Sequence, residues 1–151
     1  MILLPEALRR QLQREAEAAY PEECCGLLVG QRRMDAIVIT RAVASNNIAV
    51  GRRHDRFEVD PQVRFRLSRE LAGTAQAIVG HYHSHPDHPP EPSATDRALA
   101  FEPDLVWVIV GVGRGPGAER PRAGPVRGFR IDASGGVAEL RIAMGGTPVL
   151  E

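Results

Sequence analysis

The chain contains no lysine; all 19 of its basic residues are arginine. These are balanced by 19 acidic residues, so the formal net charge is zero and no net field draws the protein to nucleic acid. Aromatic residues are scarce, at 5%, which leaves few platforms for stacking bases. There are two cysteines, neighbours at Cys24 and Cys25, with no Cys-x-x-Cys pair. Adjacent cysteines make a poor structural disulfide, and with no secretory leader in view a cytoplasmic location is expected. No apolar run reaches the roughly 20 residues of a membrane span, so no membrane partner is expected. Repeats and low-complexity segments are absent as well. The missing lysine reads as compositional bias. Arginines at 52, 53 and 56 and at 64, 66 and 69 form either a patch for an acidic partner or an ordinary solvated face.

What is present is concentrated. Four of the five histidines lie between positions 81 and 88, in His81-Tyr82-His83-Ser84-His85-Pro86-Asp87-His88. The preceding Ala77-Ile78-Val79-Gly80 predicts a strand leaving a core. Strand side chains alternate, so His83 and His85 share a face with their roots roughly 6.6 Å apart, close enough for two rings to meet at one ion. His81 has the same parity, but it lies roughly 13 Å from His85, too far for both to reach one ion without distorting the strand. His88, in a proline-rich loop, and His54, between Arg53 and Asp55, read as exposed loop histidines.

Pro86 ends the strand, and residues 86–92 form an irregular loop. Ser93 then suits a helix N-cap, with Asp96 three residues on and Ala98 to Phe101 following, so a helix is predicted over 94–101. Ser-x-x-Asp alone is an ordinary capping arrangement. Beside two same-face histidines it also offers a carboxylate, and two imidazoles with one carboxylate are three ligands that leave a tetrahedral zinc one open position.

The remaining elements are coarser. A helix carries Leu8, Leu12, Ala16 and Ala19 at helical spacing, with Pro5 inside its opening turn. Strands are predicted near 25–30, 35–44 and 57–59, a helix from 61 to about 72, the motif strand over 77–85, and a charge-free buried strand over 105–112. A Gly/Pro/Arg loop at 113–125 precedes two alternating strands, 126–132 and 137–142. The list predicts an α/β or mixed α+β fold, a curved sheet flanked by helices. The length of 151 residues and 43% hydrophobic content suit one domain over 1–151, with 144–151 as a flexible tail that includes Gly145-Gly146.

The ordered set His83, His85, Ser93, Asp96 resembles the JAMM (MPN-plus) metalloprotease motif, His-x-His-Pro-x6-Ser-x-x-Asp, with no gap in spacing. That family also has an upstream glutamate in a Glu-x-Cys-Gly frame opening an apolar strand, matched here by Glu23-Cys24-Cys25-Gly26-Leu27-Leu28-Val29. The likeness covers nearly the whole chain and is greatest to small stand-alone bacterial members; His81 departs from it, where relatives carry an apolar or aromatic residue.

The resemblance implies the MPN/JAB fold, related to cytidine deaminases, with zinc held by His83, His85 and Asp96. It implies Glu23 as general base and Ser93 as hydrogen-bond donor to the tetrahedral oxyanion, with no covalent intermediate. Glu23 lies far upstream, and Pro21-Glu22-Glu23 also reads as a solvated turn in which Glu22 is an equal candidate. The implied substrate is the amide bond after the C-terminal Gly-Gly of a ubiquitin-like sulfur-carrier protein, releasing a cysteine, another amino acid or an extension. Two alternatives remain: a zinc hydrolase of another small amide, and a non-catalytic binding or scaffold module. A cysteine nucleophile is disfavoured because Cys25 enters a buried apolar strand. A nucleobase deaminase is disfavoured because its His-x-Glu and Pro-Cys-x-x-Cys signature is missing.

Overall fold

A computed structural model describes residues 1–145. Eight strands form one sheet: β1 (Ile2–Leu3), β2 (Cys25–Arg32), β3 (Ile37–Ser45), β4 (Ala77–Pro86), β5 (Val106–Gly113), β6 (Arg122–Ile131), β7 (Val137–Leu140) and β8 (Ile142–Ala143), in the order β7-β6-β5-β4-β2-β3-β1-β8. Among the described residues three helices accompany the sheet: α1 (Glu6–Ala19), α2 (Pro61–Leu71) and α3 (Ala94–Ala98). The sheet is mixed, with β4 antiparallel to β2 and parallel to β5. It also curls, because a Cβ added at Gly128 of β6 would meet Ile2 of β1 at 2.5 Å and Ile142 of β8 at 3.3 Å. The expected mixed α+β architecture is therefore borne out.

The alternation of β2 and β4 divides the core between the two faces. On one face α1 buries Leu12 and Ala16 against Leu28, Tyr82, Val108 and Val110. On the other, Leu67 of α2 packs with Leu27 and Val29, and Trp107 and Ile109 pack with Phe129 and Ile131. A β-bulge changes the parity of β4: Leu28 pairs with Gly80, but the next residue, Val29, pairs with Ile78. Val79 is the extra residue. Ile78 can therefore pack on the α2 side while His81, His83 and His85 also face that side, since one inserted residue reverses the alternation.

Several predicted boundaries move. Pro5 is the N-cap residue of α1, just outside it. The predicted 57–59 strand survives only as the isolated bridge between Asn47 and Val59. Helix α3 stops at Ala98, where Leu99 takes the C-cap position and its N–H reaches back to the carbonyls of Thr95 and Asp96. Strand β6 starts at Arg122, inside the predicted loop, because Ala123 pairs with Val112. The predicted 137–142 strand divides, Val137–Leu140 pairing with β6 and Ile142–Ala143 with β1. Of the predicted tail, Met144 and Gly145 are described; the rest lies outside the described residues.

Gly26, in the Glu-x-Cys-Gly frame, is required by close approach. A Cβ there would lie 2.4 Å from the hydroxyl of Tyr82 and 2.4 Å from the carbonyl oxygen of Val43. Tyr82 cannot retreat easily, being fully buried and donating its hydroxyl proton to Glu15 at 2.6 Å. Gly26→Ala is expected to lower stability by about 1–3 kcal/mol, the usual cost of overpacking. Urea unfolding measures it, and an unchanged midpoint would mean that β2 can shift away from Tyr82.

Candidate metal centre and cleft

From Gly80 onward β4 alternates regularly and sends His83 and His85 to the α2 side of the sheet. The His83 ring stacks on Phe57, centroids 4.2 Å apart and planes 15° from parallel. His85 is oriented by polar contact, its Nδ1 lying 2.9 Å from the carbonyl oxygen of Pro89. A carbonyl only accepts, so Nδ1 carries the proton and Nε2 presents a bare lone pair. The kinked 86–92 loop thus sets the tautomer of the histidine that precedes it.

Asp96 comes from the first turn of α3, where both halves of a capping box form. The Ser93 N–H donates to Asp96 Oδ2 at 2.9 Å, and the Asp96 N–H donates to Ser93 Oγ at 3.0 Å. The capping reading of Ser-x-x-Asp therefore holds and fixes where the carboxylate points. Oδ2 lies 3.2 Å from His83 Nε2 and 3.0 Å from His85 Nε2, and the two nitrogens are 3.0 Å apart. Ser93 Oγ accepts in the box, so its own hydroxyl proton remains available to donate.

These three atoms are buried lone-pair donors crowded around one point, and no arrangement of protons satisfies all three contacts at once. A cation does. Donors about 2.1 Å from a tetrahedral zinc sit about 3.4 Å apart, close to the observed triangle. Glu23 Oε1 also lies near, 3.9 Å from His83 Nε2 and 4.0 Å from His85 Nε2. It is thus a geometrically possible third ligand, as the grouping of Glu23, His83 and His85 within 4.8 Å indicates. Asp96 Oδ2 makes the shorter contacts with the two nitrogens, 3.2 and 3.0 Å against 3.9 and 4.0 Å for Glu23 Oε1.

Glu23 is 2% exposed, and neither of its carboxylate oxygens has a partner. Its position follows from the β2–β4 register. Cys25 pairs with His83, and one step further Cys24 N–H donates to Ser84 Oγ at 2.8 Å while Ser84 N–H donates to the Cys24 carbonyl at 3.1 Å. The next step brings Glu23 across from His85. The 46–58 loop holds Glu23 from the other side: its N–H donates to the Arg53 carbonyl at 2.7 Å, and its carbonyl accepts from Asn47 Nδ2 at 3.1 Å. Asn47 also binds Arg56, Ala49 and Glu58, so one side chain organises this loop. Ser84 and Asn47 escaped the sequence reading. Asn46-Asn47 carries a turn signal, and Ser84 stands between two histidines, but neither shows its long-range partner.

Burial dominates the electrostatics. It pushes Glu23 up to about 8, against the pull of His85 and with added repulsion from Asp96 and Asp55. His83 is lowered by burial in spite of Asp96. His85 is also desolvated, yet the Asp96 carboxylate and the Pro89 carbonyl favour its protonated form and raise it. Asp96 is held well below the usual carboxylate range, because the two histidines and the Ser93 amide outweigh its burial.

His81 stays apart from the triangle. Its ring meets the Trp107 edge at 4.2 Å, and burial followed by His83 pushes it down to about 3. His54 and His88 are exposed and line the outer cleft. Cys24 and Cys25 are free and buried, their thiols pushed up to about 11 and about 12 by desolvation, which suits packing rather than attack. Two cavities flank the triangle. One of about 380 Å³ reaches Glu23, His85, Ser93 and Asp55; the other, about 590 Å³ and more apolar, reaches Asp96, His81, Phe57 and Trp107.

Two outcomes are expected. Ser84→Ala strands the buried Cys24 N–H and should cost about 1–3 kcal/mol in urea unfolding; no loss would show that the β2–β4 junction is held elsewhere. In metal-free protein Glu23 keeps its proton to about pH 8 when folded, against about 4.5 when unfolded. The folded state then binds the extra proton between those limits, so stability falls as pH rises through them, by up to about 1.4 kcal/mol per unit. Denaturation with chelator at pH 5, 6.5 and 8 should show that slope, and Glu23→Gln should flatten it; parallel slopes would contradict the assignment.

The family model described as prokaryotic homologs of the JAB domain matches residues 5–124. A desampylase of Haloferax volcanii is 38% identical over 89 residues, 59% of this chain and 62% of that protein, so the chain spans under two thirds of that relative's length. A CysO-cysteine peptidase of Mycobacterium tuberculosis is 29% identical over 128 residues, covering 82% of this chain and 77% of that one. Among solved structures, a Desulfitobacterium hafniense protein superimposes with a TM-score of 0.78 at 30% identity, over 96% of this chain and 93% of its own. The resemblance to the family is thus borne out over residues 5–124, and the chain belongs to the prokaryotic JAB-domain family.

Proposed function

We propose that the protein is a zinc-dependent peptidase or isopeptidase, acting as one domain, that hydrolyses the amide bond after the C-terminal Gly-Gly of a ubiquitin-like sulfur-carrier protein. The observation that carries this reading is the triangle of His83 Nε2, His85 Nε2 and Asp96 Oδ2, with the unpartnered Glu23 carboxylate 3.9–4.0 Å from both nitrogens. Two imidazoles and a carboxylate suit zinc, and the desampylase and CysO-cysteine peptidase names of the relatives support hydrolysis at a small carrier protein.

When bound, the cation supplies Lewis acidity: it acidifies water and polarises a carbonyl. This chain's residues do the rest. Glu23, its basicity raised towards neutrality by burial, takes a proton from the attacking water and hands it to the departing amine. Ser93 is free to donate its hydroxyl proton to the oxygen that becomes negative, since its Oγ lone pair, not its hydrogen, serves the helix cap. Pro89 and Asp96 keep His85 and His83 from turning away. A Gly-Gly tail suits so closed a site, because residues without a Cβ let the scissile carbonyl approach closely.

Purified protein is expected to carry about one zinc and to hydrolyse a Gly-Gly-linked carrier adduct. Chelation should abolish the activity, and Glu23→Gln should lower kcat by about 10²- to 10⁴-fold while metal content stays the same. Asp96→Asn should reduce metal content itself. Zinc-loaded protein that spares every carrier adduct yet cuts small amides would overturn the carrier reading.

A further inference from the structure

The 86–92 loop carries the Pro89 carbonyl that accepts from His85 Nδ1, so whatever fixes this loop fixes the direction in which the ring presents Nε2. Its turn begins at Asp87, which leaves β4 in the left-handed region, φ 60°, a conformation that aspartate tolerates better than most residues. The Asp87 N–H donates to the Val112 carbonyl at 2.7 Å and pins the turn to β5. Its carboxylate lies over Gly113, where a Cβ would meet Oδ1 at 3.2 Å, and its Oδ2 accepts a hydrogen bond from the Tyr20 hydroxyl at 2.7 Å.

Tyr20 is the C-cap residue of α1, with its N–H on the Ala16 carbonyl at 3.2 Å and its side chain packed against the α1-side core. Both partners are therefore held before they meet, and ordering them costs little. A phenol donating to a carboxylate at this distance makes a charge-assisted bond.

The ends of this bond belong to different halves of the site. Tyr20 stands three residues before Glu23, in a segment that turns directly off α1, the Glu22 N–H donating to the Ala19 carbonyl at 2.9 Å. Asp87 stands two residues after His85 and two before Pro89. At the far end of the loop Arg127 reaches Glu91 at 3.3 Å, so Pro89 lies between two anchors. Neither Tyr20 nor Asp87 lines either cavity beside the triangle, which separates them from residues that touch substrate.

We infer that Tyr20 and Asp87 are positioning residues of the metal centre, their hydrogen bond fastening the segment that carries Glu23 to the loop whose Pro89 carbonyl orients His85. The inference rests on His85 as a ligand and Glu23 as the base, and on no particular substrate.

Tyr20→Phe removes the hydroxyl and keeps the ring, and Asp87→Gly removes the carboxylate and suits the left-handed backbone. Zinc affinity is measured by competition with a chromophoric chelator, and exchange of the His85 Nδ1 proton with solvent is followed by NMR in metal-free protein. Each variant is expected to lose about tenfold in zinc affinity, the lower end of what the groups behind a metal ligand contribute. The Nδ1 proton should exchange several-fold faster while the backbone amides of β4 exchange as before, a local loosening that a general loss of stability does not produce. Because both substitutions remove one bond, the double variant should lose no more than either alone, and Asp87→Asn, which keeps an acceptor and tolerates that backbone, should recover part of the loss. With zinc saturating and a Gly-Gly-linked carrier adduct, kcat should fall at unchanged KM. Unchanged zinc affinity or unchanged Nδ1 exchange in Tyr20→Phe overturns the inference; so do additive losses in the double variant, β4 amides that loosen in step, or a raised KM at constant kcat. If no adduct is cleaved, the hydrolase reading fails, and zinc affinity and exchange still decide the inference. If no zinc is bound, the metal reading fails, and exchange alone decides it.

Discussion

The pairing of β2 with β4 is the constraint on which the site depends. One antiparallel step, in which Cys24 and Ser84 exchange hydrogen bonds at 2.8 and 3.1 Å, converts an arrangement readable along the chain into one that exists only in space. The 60-residue separation of Cys24 from Ser84 is closed by a few such contacts, and the alternation of both strands then puts Glu23, Cys25, His83 and His85 on one face. A one-residue slip would send Glu23 to the α1 side. The bulge at Val79 belongs to the same constraint, because it lets the strand serve the α2 core at Ile78 and still present three histidines on that side.

The capping box gives α3 more importance than its five residues suggest. A helix this short has little stability of its own, so capping and packing must hold it. Here the cap and the candidate ligand are one carboxylate: Asp96 Oδ2 accepts a hydrogen bond from the Ser93 N–H and faces both imidazoles. Local helix energetics thereby fix where that carboxylate points, so the capping reading of Ser-x-x-Asp holds and is compatible with the ligand reading that competed with it in the sequence.

That distinction also marks how far the sequence could be read. The His83/His85 pair was legible because two-residue periodicity is a local property, and the start of α3 because an N-cap with its third residue is local too. The buried strand Val106–Gly113 announced itself by lacking charge. What stayed hidden depended on partners distant in the chain. Two-residue strands such as Ile2–Leu3 have no period to detect, and Ile142–Ala143 separates from β7 only because β1 is there to receive it. Residues 122–125 looked like loop by composition but join β6 through pairing with β5. The Glu-x-Cys-Gly frame favoured Glu23 over Glu22 only by resemblance, and the register of β2 on β4 is what brings Glu23 beside the histidines. Asn47 and Ser84 gave no sign in the sequence of their long-range partners, since their importance is the backbone group each satisfies across the fold.

The same geometry sets a cost that runs through the fold. Native interiors pair their buried polar groups, yet Glu23 Oε1 and Oε2 and His83 Nδ1 have no partner here, and three lone-pair atoms converge within 3.2 Å. Such crowding persists only where its surroundings over-determine it, and each group is held from at least two directions. Phe57 and the β4 backbone hold His83, Pro89 and β4 hold His85, the capping box holds Asp96, and Arg53, Asn47 and Cys24 fix the backbone around Glu23. The rigidity that keeps these groups from relaxing apart is what makes them a preorganised receptor for positive charge, so the least comfortable part of the fold is also the part with the most to gain from a ligand.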